Sequence, residues 1–168
     1  AINYLQKSIK LAPSLIPASV NLATDWVNNK KKTKAKKVLE KSWAIEPHPA
    51  LLEPYWLATG ANSPIEKVKV TKSLTSKCPD HLESLIALAK VSSEAQLWGE
   101  TRQFLEMAIK KSSSPTRRVF QMMAKLEESE NANQELARNW LVRSSQASPD
   151  PVWVCNYCGT GARKWSAT

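Results

Sequence analysis

The chain is short of the residues that build several common functional sites. Its 168 residues include four glycines, three cysteines and two histidines. So few glycines argue against glycine-rich loops that cradle phosphates. Three cysteines exclude the disulfide framework of a small secreted domain, and a reducing, cytosol-like compartment is the simpler setting. No run approaches the ~18 apolar residues that a membrane-spanning helix needs, and no signal-peptide core opens the chain. His48 and His81 stand near prolines in turn-like segments, without a nucleophile or carboxylate at a spacing that implies catalysis. What is present is 24 Lys and Arg against 15 Asp and Glu, a net charge of +9, with 42% hydrophobic residues. That composition belongs to a folded, soluble chain of about one domain. Ala1 already falls inside a helical pattern, so the chain reads as a piece of a longer protein that starts in mid-repeat.

Five of the prolines recur almost periodically. Pro13, Pro47, Pro79, Pro115 and Pro149 follow one another at intervals of 34, 32, 36 and 34. Twelve residues before three of them stand Ala1, Ala35 and Ala137; eight before stand Leu5, Leu39 and Leu141; five before stand Ser8, Ser42 and Ser144. Steps of four and three place this small-large-small stripe on one helix face. The small residues admit a neighbouring helix closely, the leucines fill the gap, and the proline ends the helix because it cannot continue one.

This pattern resembles the tetratricopeptide repeat, a helix-turn-helix unit of about 34 residues with small and large apolar positions before a terminal proline. The resemblance implies an all-α superhelix over residues 1–149: a half-repeat from Ala1 to Pro13, then about four helix pairs ending near Ser148. In the second unit the first helix is expected from about Ile16 to Asn28, with Leu22, Ala23 and Trp26 inward. Its partner is expected from about Lys34 to Ala44, with Ala35, Leu39 and Ser42 inward. The third unit departs from the pattern, with Lys67 and Thr71 at the small and large positions and Pro54 expected to kink its first helix; Val68, Val70 and Leu74 are expected to repack the second. The fourth stripe reads Thr101, Leu105 and Ala108, and Pro115 is expected to open the next helix behind Ser114 as its cap. Ser63 to Glu66 and Asp80 to Glu83 carry capping chemistry. Trp26, Trp43, Trp98 and Trp140 fall where large rings are expected to be buried.

Residues 150–168 have no helical period. Cys155-Asn156-Tyr157-Cys158-Gly159 puts two thiols three apart on a turn that a glycine relieves, two of the four ligands of a tetrahedral structural zinc. A redox pair and two inert thiols are the alternatives, and Cys78 with His81 is a weaker metal or haem candidate. Trp98-Gly99-Glu100-Thr101-Arg102, together with Pro151-Val152-Trp153-Val154-Cys155 through Trp165, resembles the C-terminal part of the alphaproteobacterial HemY-type proteins. The resemblance implies that Cys155 and Cys158 form half of a zinc ribbon completed after Thr168. It also implies membrane anchorage before the repeats, a place at the cytoplasmic face of the bacterial inner membrane, and a link to haem biosynthesis. This stretch of chain by itself is expected to hold no cofactor, zinc being possible in the full-length protein.

The repeat frame maps a mixed apolar groove onto Pro17, Val20, Asn21, Thr24 and Val27, then Ile86, Lys90 and Ser93, then Met122, Leu126 and Ser129. Such a groove suits a peptide or protein partner, and a non-enzymatic scaffold is the expected role. Nucleic acid is not expected there, because arginines and aromatics do not interleave along it. A direct tetrapyrrole-handling factor and a basic nucleic-acid-binding repeat are the alternatives. Lys30, Lys31, Lys32, Lys34, Lys36 and Lys37 cluster at one turn; such a run is ordinarily a solvated face, with anionic headgroups as the other reading. Exposed repeat ends are expected to favour a homodimer.

Overall fold

The computed structural model describes residues 2–155 and 157–162. Helix α1 (Ile2–Leu11) packs on α2 (Ile16–Asn28), and α2 pairs with α3 (Lys32–Ile45). A 3-10 turn at Pro49–Leu51 leads into α4 (Leu52–Thr59), which is followed by α5 (Pro64–Thr75). Two further antiparallel pairs follow: α6 (Leu82–Glu94) with α7 (Trp98–Lys111), and α8 (Arg117–Asn131) with α9 (Gln134–Gln146). One helix is thus followed by four helix pairs, and the second unit begins and ends within two residues of its expected bounds.

Each stripe does what its spacing dictates. Ala35, Leu39 and Ser42 of α3 are buried, as are Thr101, Leu105 and Ala108 of α7. Ser42 donates to the Ser19 hydroxyl at 2.7 Å, so two small polar residues let α3 and α2 approach without leaving a buried hydroxyl unpaired. Helix α6 is buried on two sides. Its Ala87 and Val91 join one core cluster while Leu85, Ile86 and Ala89 join the next, which makes the core continuous along the stack. Leu141 is the exception. Its counterparts Leu39 and Leu105 are fully buried under the following helices, whereas Leu141 is 48% exposed, since no described element packs over that face of α9.

The third unit keeps its shape by substitution. Thr71, at the large apolar position, is fully buried and accepts the Trp56 indole N–H at 3.0 Å, with Val68 and Leu74 packed beside it as predicted. Pro54 does not kink its helix. It lies in the first turn of α4, where a missing N–H costs no bond, and the irregularity is taken up by the 3-10 turn before it. Two expected caps differ as well. His81, not Asp80, caps α6 with its Nδ1 accepting from Glu83 N at 3.1 Å, while Asp80 pairs with Lys111. Helix α8 starts at Arg117 rather than at Pro115, and the Ser114 hydroxyl bonds Ser148 at 2.8 Å instead of capping. The Ser63 and Glu66 capping box forms as predicted. Of the four tryptophans expected inside, only Trp43 is fully enclosed; Trp26, Trp98 and Trp140 are half-buried, and Trp56 is the second enclosed ring.

Helix-pair turns repeat a backbone device that the sequence disguises. Lys30, Gly60 and Gln96 each take a left-handed conformation one residue past the helix C-cap or at it, and the next residue's N–H reaches five residues back: Lys31 to Trp26, Ala61 to Trp56, Leu97 to Ser92. This is the Schellman closure, which satisfies the last helical carbonyls. Only one of the three positions is glycine.

Candidate functional site

The first helices of the units, which the repeat frame places on the concave side, are α2, α4, α6 and α8, and one recess lies between α2 and the Pro49 turn. Pro17, Val20, Asn21 and Thr24 form one wall; His48, Pro49, Glu53 and Leu57 form the other, enclosing about 560 Å³ of mainly apolar space. A second recess of about 480 Å³ continues along α4 past Trp56, Asn62, Lys67 and Lys90. Lys67 Nζ and Lys90 Nζ stand 4.8 and 5.7 Å from the Trp56 ring centre, holding cationic charge against its π face.

Of the residues mapped from the repeat frame, Val20, Asn21 and Thr24 line the first recess and Lys90 the second. Val27 is half-buried against the core, one turn beyond the recess, and Ser93 and Met122 are half-buried. Ile86 and Leu126 are corrections. They are 6% and 1% exposed and belong to the second core cluster, because α6 is packed between α5 and α7, and α8 between α7 and α9. Sequence reasoning missed His48, Leu57, Trp56 and Trp153. Their positions carry no repeat signature, and a lone Trp in a proline-flanked tail is the only local hint.

Trp153 reaches this recess because the C-terminal tail runs back along the starts of the first helices. Ser148 O accepts from Arg117 N at 3.0 Å. Arg118 then links Glu83 on α6 to Asp150 of the tail, the latter at 3.4 Å. Three residues later the Trp153 ring lies 5.4 Å from that of His48, tilted by 43°, and packs on the first core cluster. His48 Nδ1 accepts from Ala50 N at 3.1 Å. Burial holds its pKa below the ordinary value, outweighing the opposing pull of Glu83 and Glu46.

Beyond Trp153 the tail forms a small hairpin. Strand β1 (Trp153–Val154) pairs antiparallel with β2 (Gly161–Ala162). Cys155 N donates to Thr160 O at 3.0 Å and Gly159 N to Cys155 O at 2.9 Å, with Gly159 at φ +71°. A side chain is strained at that angle, which accounts for the glycine. Cys155 and Cys158 are both exposed. The Thr160 hydroxyl, 3.2 Å from Cys158 Sγ, and the neighbouring Thr160 backbone and Cys155 side chain hold the Cys158 thiol below its ordinary pKa. A thiolate-favouring turn with both sulfurs accessible fits two zinc ligands; among the described residues no cluster of three or more His, Cys, Asp or Glu forms. Trp165 lies outside the described residues.

The lysine cluster occupies the turn between α2 and α3. Lys30, Lys31, Lys32, Lys34, Lys36 and Lys37 are all exposed, and among the described residues Lys36 alone of these pairs with a carboxylate, Glu40, at 3.8 Å. The Trp98 to Arg102 motif is structural. Glu100 reaches Lys72 of α5 at 2.9 Å, and Arg102 grips Glu127 of α8 in a two-pronged pair.

The architecture has solved counterparts. A crystal structure of MamA superposes with a TM-score of 0.52 at 13% identity, covering 86% of this chain and 85% of that one. The fold is a tetratricopeptide-type helical repeat. A MamA RS-1 ArsTM double mutant matches with a TM-score of 0.53 at 8% identity, over 86% of this chain and 82% of that one. Identities this low carry the fold and nothing finer. No family model matches the chain, and no curated protein matches it.

Proposed function

We propose that this chain is a non-enzymatic protein-interaction scaffold whose concave groove holds a peptide segment of a partner. The observation that carries the reading is the mainly apolar recess between α2 and the Pro49 turn, in which Asn21, Thr24, His48, Glu53 and the Trp153 indole offer the polar groups among the described residues. A concave, mostly apolar site with a few placed polar groups is what peptide recognition requires. The tetratricopeptide-type fold supports the same reading by analogy. Panning a random peptide library on the folded chain tests it. Selected peptides are expected to lose binding to Val20→Asp while keeping it on a variant with altered α3 lysines; peptides indifferent to Val20 overturn the assignment.

The HemY-type resemblance is the proposed kinship, with zinc on the hairpin and a place at the inner-membrane face as its corollaries; among the described residues no helix is long and apolar enough to cross a membrane. Self-association is proposed through the stack ends, where Tyr4 and Leu11 of α1 are 78% and 86% exposed and Leu141 of α9 lies open. A second reading, tetrapyrrole handling, draws on His48 standing in the wall of the apolar recess. Titration with haem separates the two: a saturable Soret shift absent from His48→Ala favours the second reading, and an unstructured, variant-independent response removes it.

A further inference from the structure

Positive charge is concentrated at one end of the stack. Residues 1–45 hold nine lysines against two acids, Asp25 and Glu40, and so carry seven of the chain's nine net positive charges. On α3, Lys34, Lys37 and Lys41 follow one another at three and four residues, so they share one face, with Val38 in the same stripe. Ile9 and Lys10 of α1 stand across from them. Between the two helices runs a channel of about 420 Å³ floored by Leu22 and Trp26 of α2. The four lysines are exposed, and among the described residues none of them forms an ion pair. Both local acids are engaged elsewhere. Glu40 accepts from the Tyr55 hydroxyl at 3.2 Å and faces Lys36, and Asp25 accepts from the Asn29 amide at 3.3 Å.

We infer that this lysine-walled channel between α1 and α3 receives an acidic amphipathic helix of a partner protein. The apolar floor takes up its hydrophobic stripe, and its carboxylates meet the ammonium groups on both walls. Lys34 to Lys41 span about 10 Å of helix, so carboxylates at the same three-and-four spacing on a parallel or antiparallel partner meet them one for one. Unpaired like charges lining a recess are the complement of such a ligand, and they speed its encounter as well as selecting its sign. A flat bilayer touches the ridges of α1 and α3 and does not reach the Leu22 and Trp26 floor. Nucleic acid is disfavoured by the channel's content: it holds no arginine, and one ring, Trp26, on which a base stacks. The channel is separate from the concave recess and shares no lining residue with it.

Two labelled synthetic peptides of identical composition test the inference. In one, leucines and glutamates are ordered into opposite faces of a helix; in the other the order is scrambled. Fluorescence anisotropy is expected to show the ordered peptide binding at least tenfold tighter than the scrambled one, with affinity falling as salt rises. Charge reversal at Lys34→Glu, Lys37→Glu and Lys41→Glu together is expected to weaken the ordered peptide at least tenfold, while the triple arginine replacement and Val20→Asp leave it within twofold. All three lysines are exposed, so a far-ultraviolet spectrum unchanged by the substitutions confirms that folding is intact. Equal binding of ordered and scrambled peptides overturns the inference, because plain charge attraction then explains the patch. So does a charge-reversed triple variant that keeps peptide affinity but loses phosphatidylglycerol vesicles or an RNA oligonucleotide.

Discussion

The ring of Trp153 in the C-terminal tail packs tilted at 5.4 Å against that of His48, a residue of the segment joining α3 to α4 more than a hundred positions earlier in the chain. This contact ties the tail to the mouth of the concave recess. Burial disfavours the imidazolium there, so the folded state binds fewer protons at His48 than the unfolded one. The docked tail is therefore favoured fully above about pH 6.5, the ordinary histidine value, and is progressively weakened as pH falls through the lower pKa of the folded state. Hydrogen-exchange protection over residues 148–155, taken relative to the intrinsic rate at each pH, is expected to fall between pH 7.5 and 5 in the natural chain and to lose most of that dependence in His48→Gln. Trp153→Ala is expected to raise exchange there at every pH; a tail equally protected in that variant contradicts the docking.

Arg102 joins the last two helix pairs by pairing with both Glu127 and Glu130 of α8. The Glu127 carboxylate is nearly enclosed, and the Arg102 guanidinium at 2.7 and 3.1 Å, helped by Trp140 and Asn131, keeps its pKa below the usual carboxylate range. Arg102→Ala strands that buried charge. A loss of about 2–3 kcal/mol in urea unfolding is expected, against well under 1 kcal/mol for Lys72→Ala, whose pair with Glu100 is solvent-exposed.

The left-handed turns offer a clean backbone test. Gln96 holds φ +57° at the position where the preceding unit has Gly60 at φ +74°. Gln96→Gly is expected to stabilise the chain by about 0.5–1 kcal/mol, the strain relief exceeding glycine's extra unfolded-state entropy. Gly60→Ala is expected to destabilise it by about 1 kcal/mol through torsion alone, since an added Cβ meets nothing within 4 Å. Thermal unfolding of the two variants is expected to shift in opposite directions.

Under the proposed zinc role, Cys155 and Cys158 would supply two of the four ligands that a tetrahedral ion takes. Zinc content measured together with mass in solution is expected to show one zinc per two chains, bound only by a dimer, and neither in Cys155→Ser. One zinc held tightly by a monomer refutes the half-site reading.

Periodic features were legible from residue order. The stripes of α3 and α7 and the Ser63 and Glu66 box depend on neighbours within one or two turns, so their spacing alone carried them through to the folded chain. The irregular third unit was half legible: Val68 and Leu74 repack as their hydrophobicity demands, but the Trp56 to Thr71 hydrogen bond that makes a buried threonine acceptable joins residues on different helices. Caps read from side-chain type failed where two candidates competed, as at Asp80 and His81, because helix packing chose the register.

By itself the sequence determined the repeat, the number and direction of its helices, and the chemistry available at each turn, all of which follow from local sterics and apolar periodicity. Tertiary structure alone decided which mapped groove residues stay accessible. Ile86 and Leu126 vanish into the core because a stacked helix is covered from both sides, whereas Val20 and Thr24 remain open beside the Pro49 turn. It alone brought Trp153 to His48 and set Lys10 across a channel from the α3 lysines, since those encounters depend on how the superhelix curves in space, a property that no window of neighbouring residues encodes.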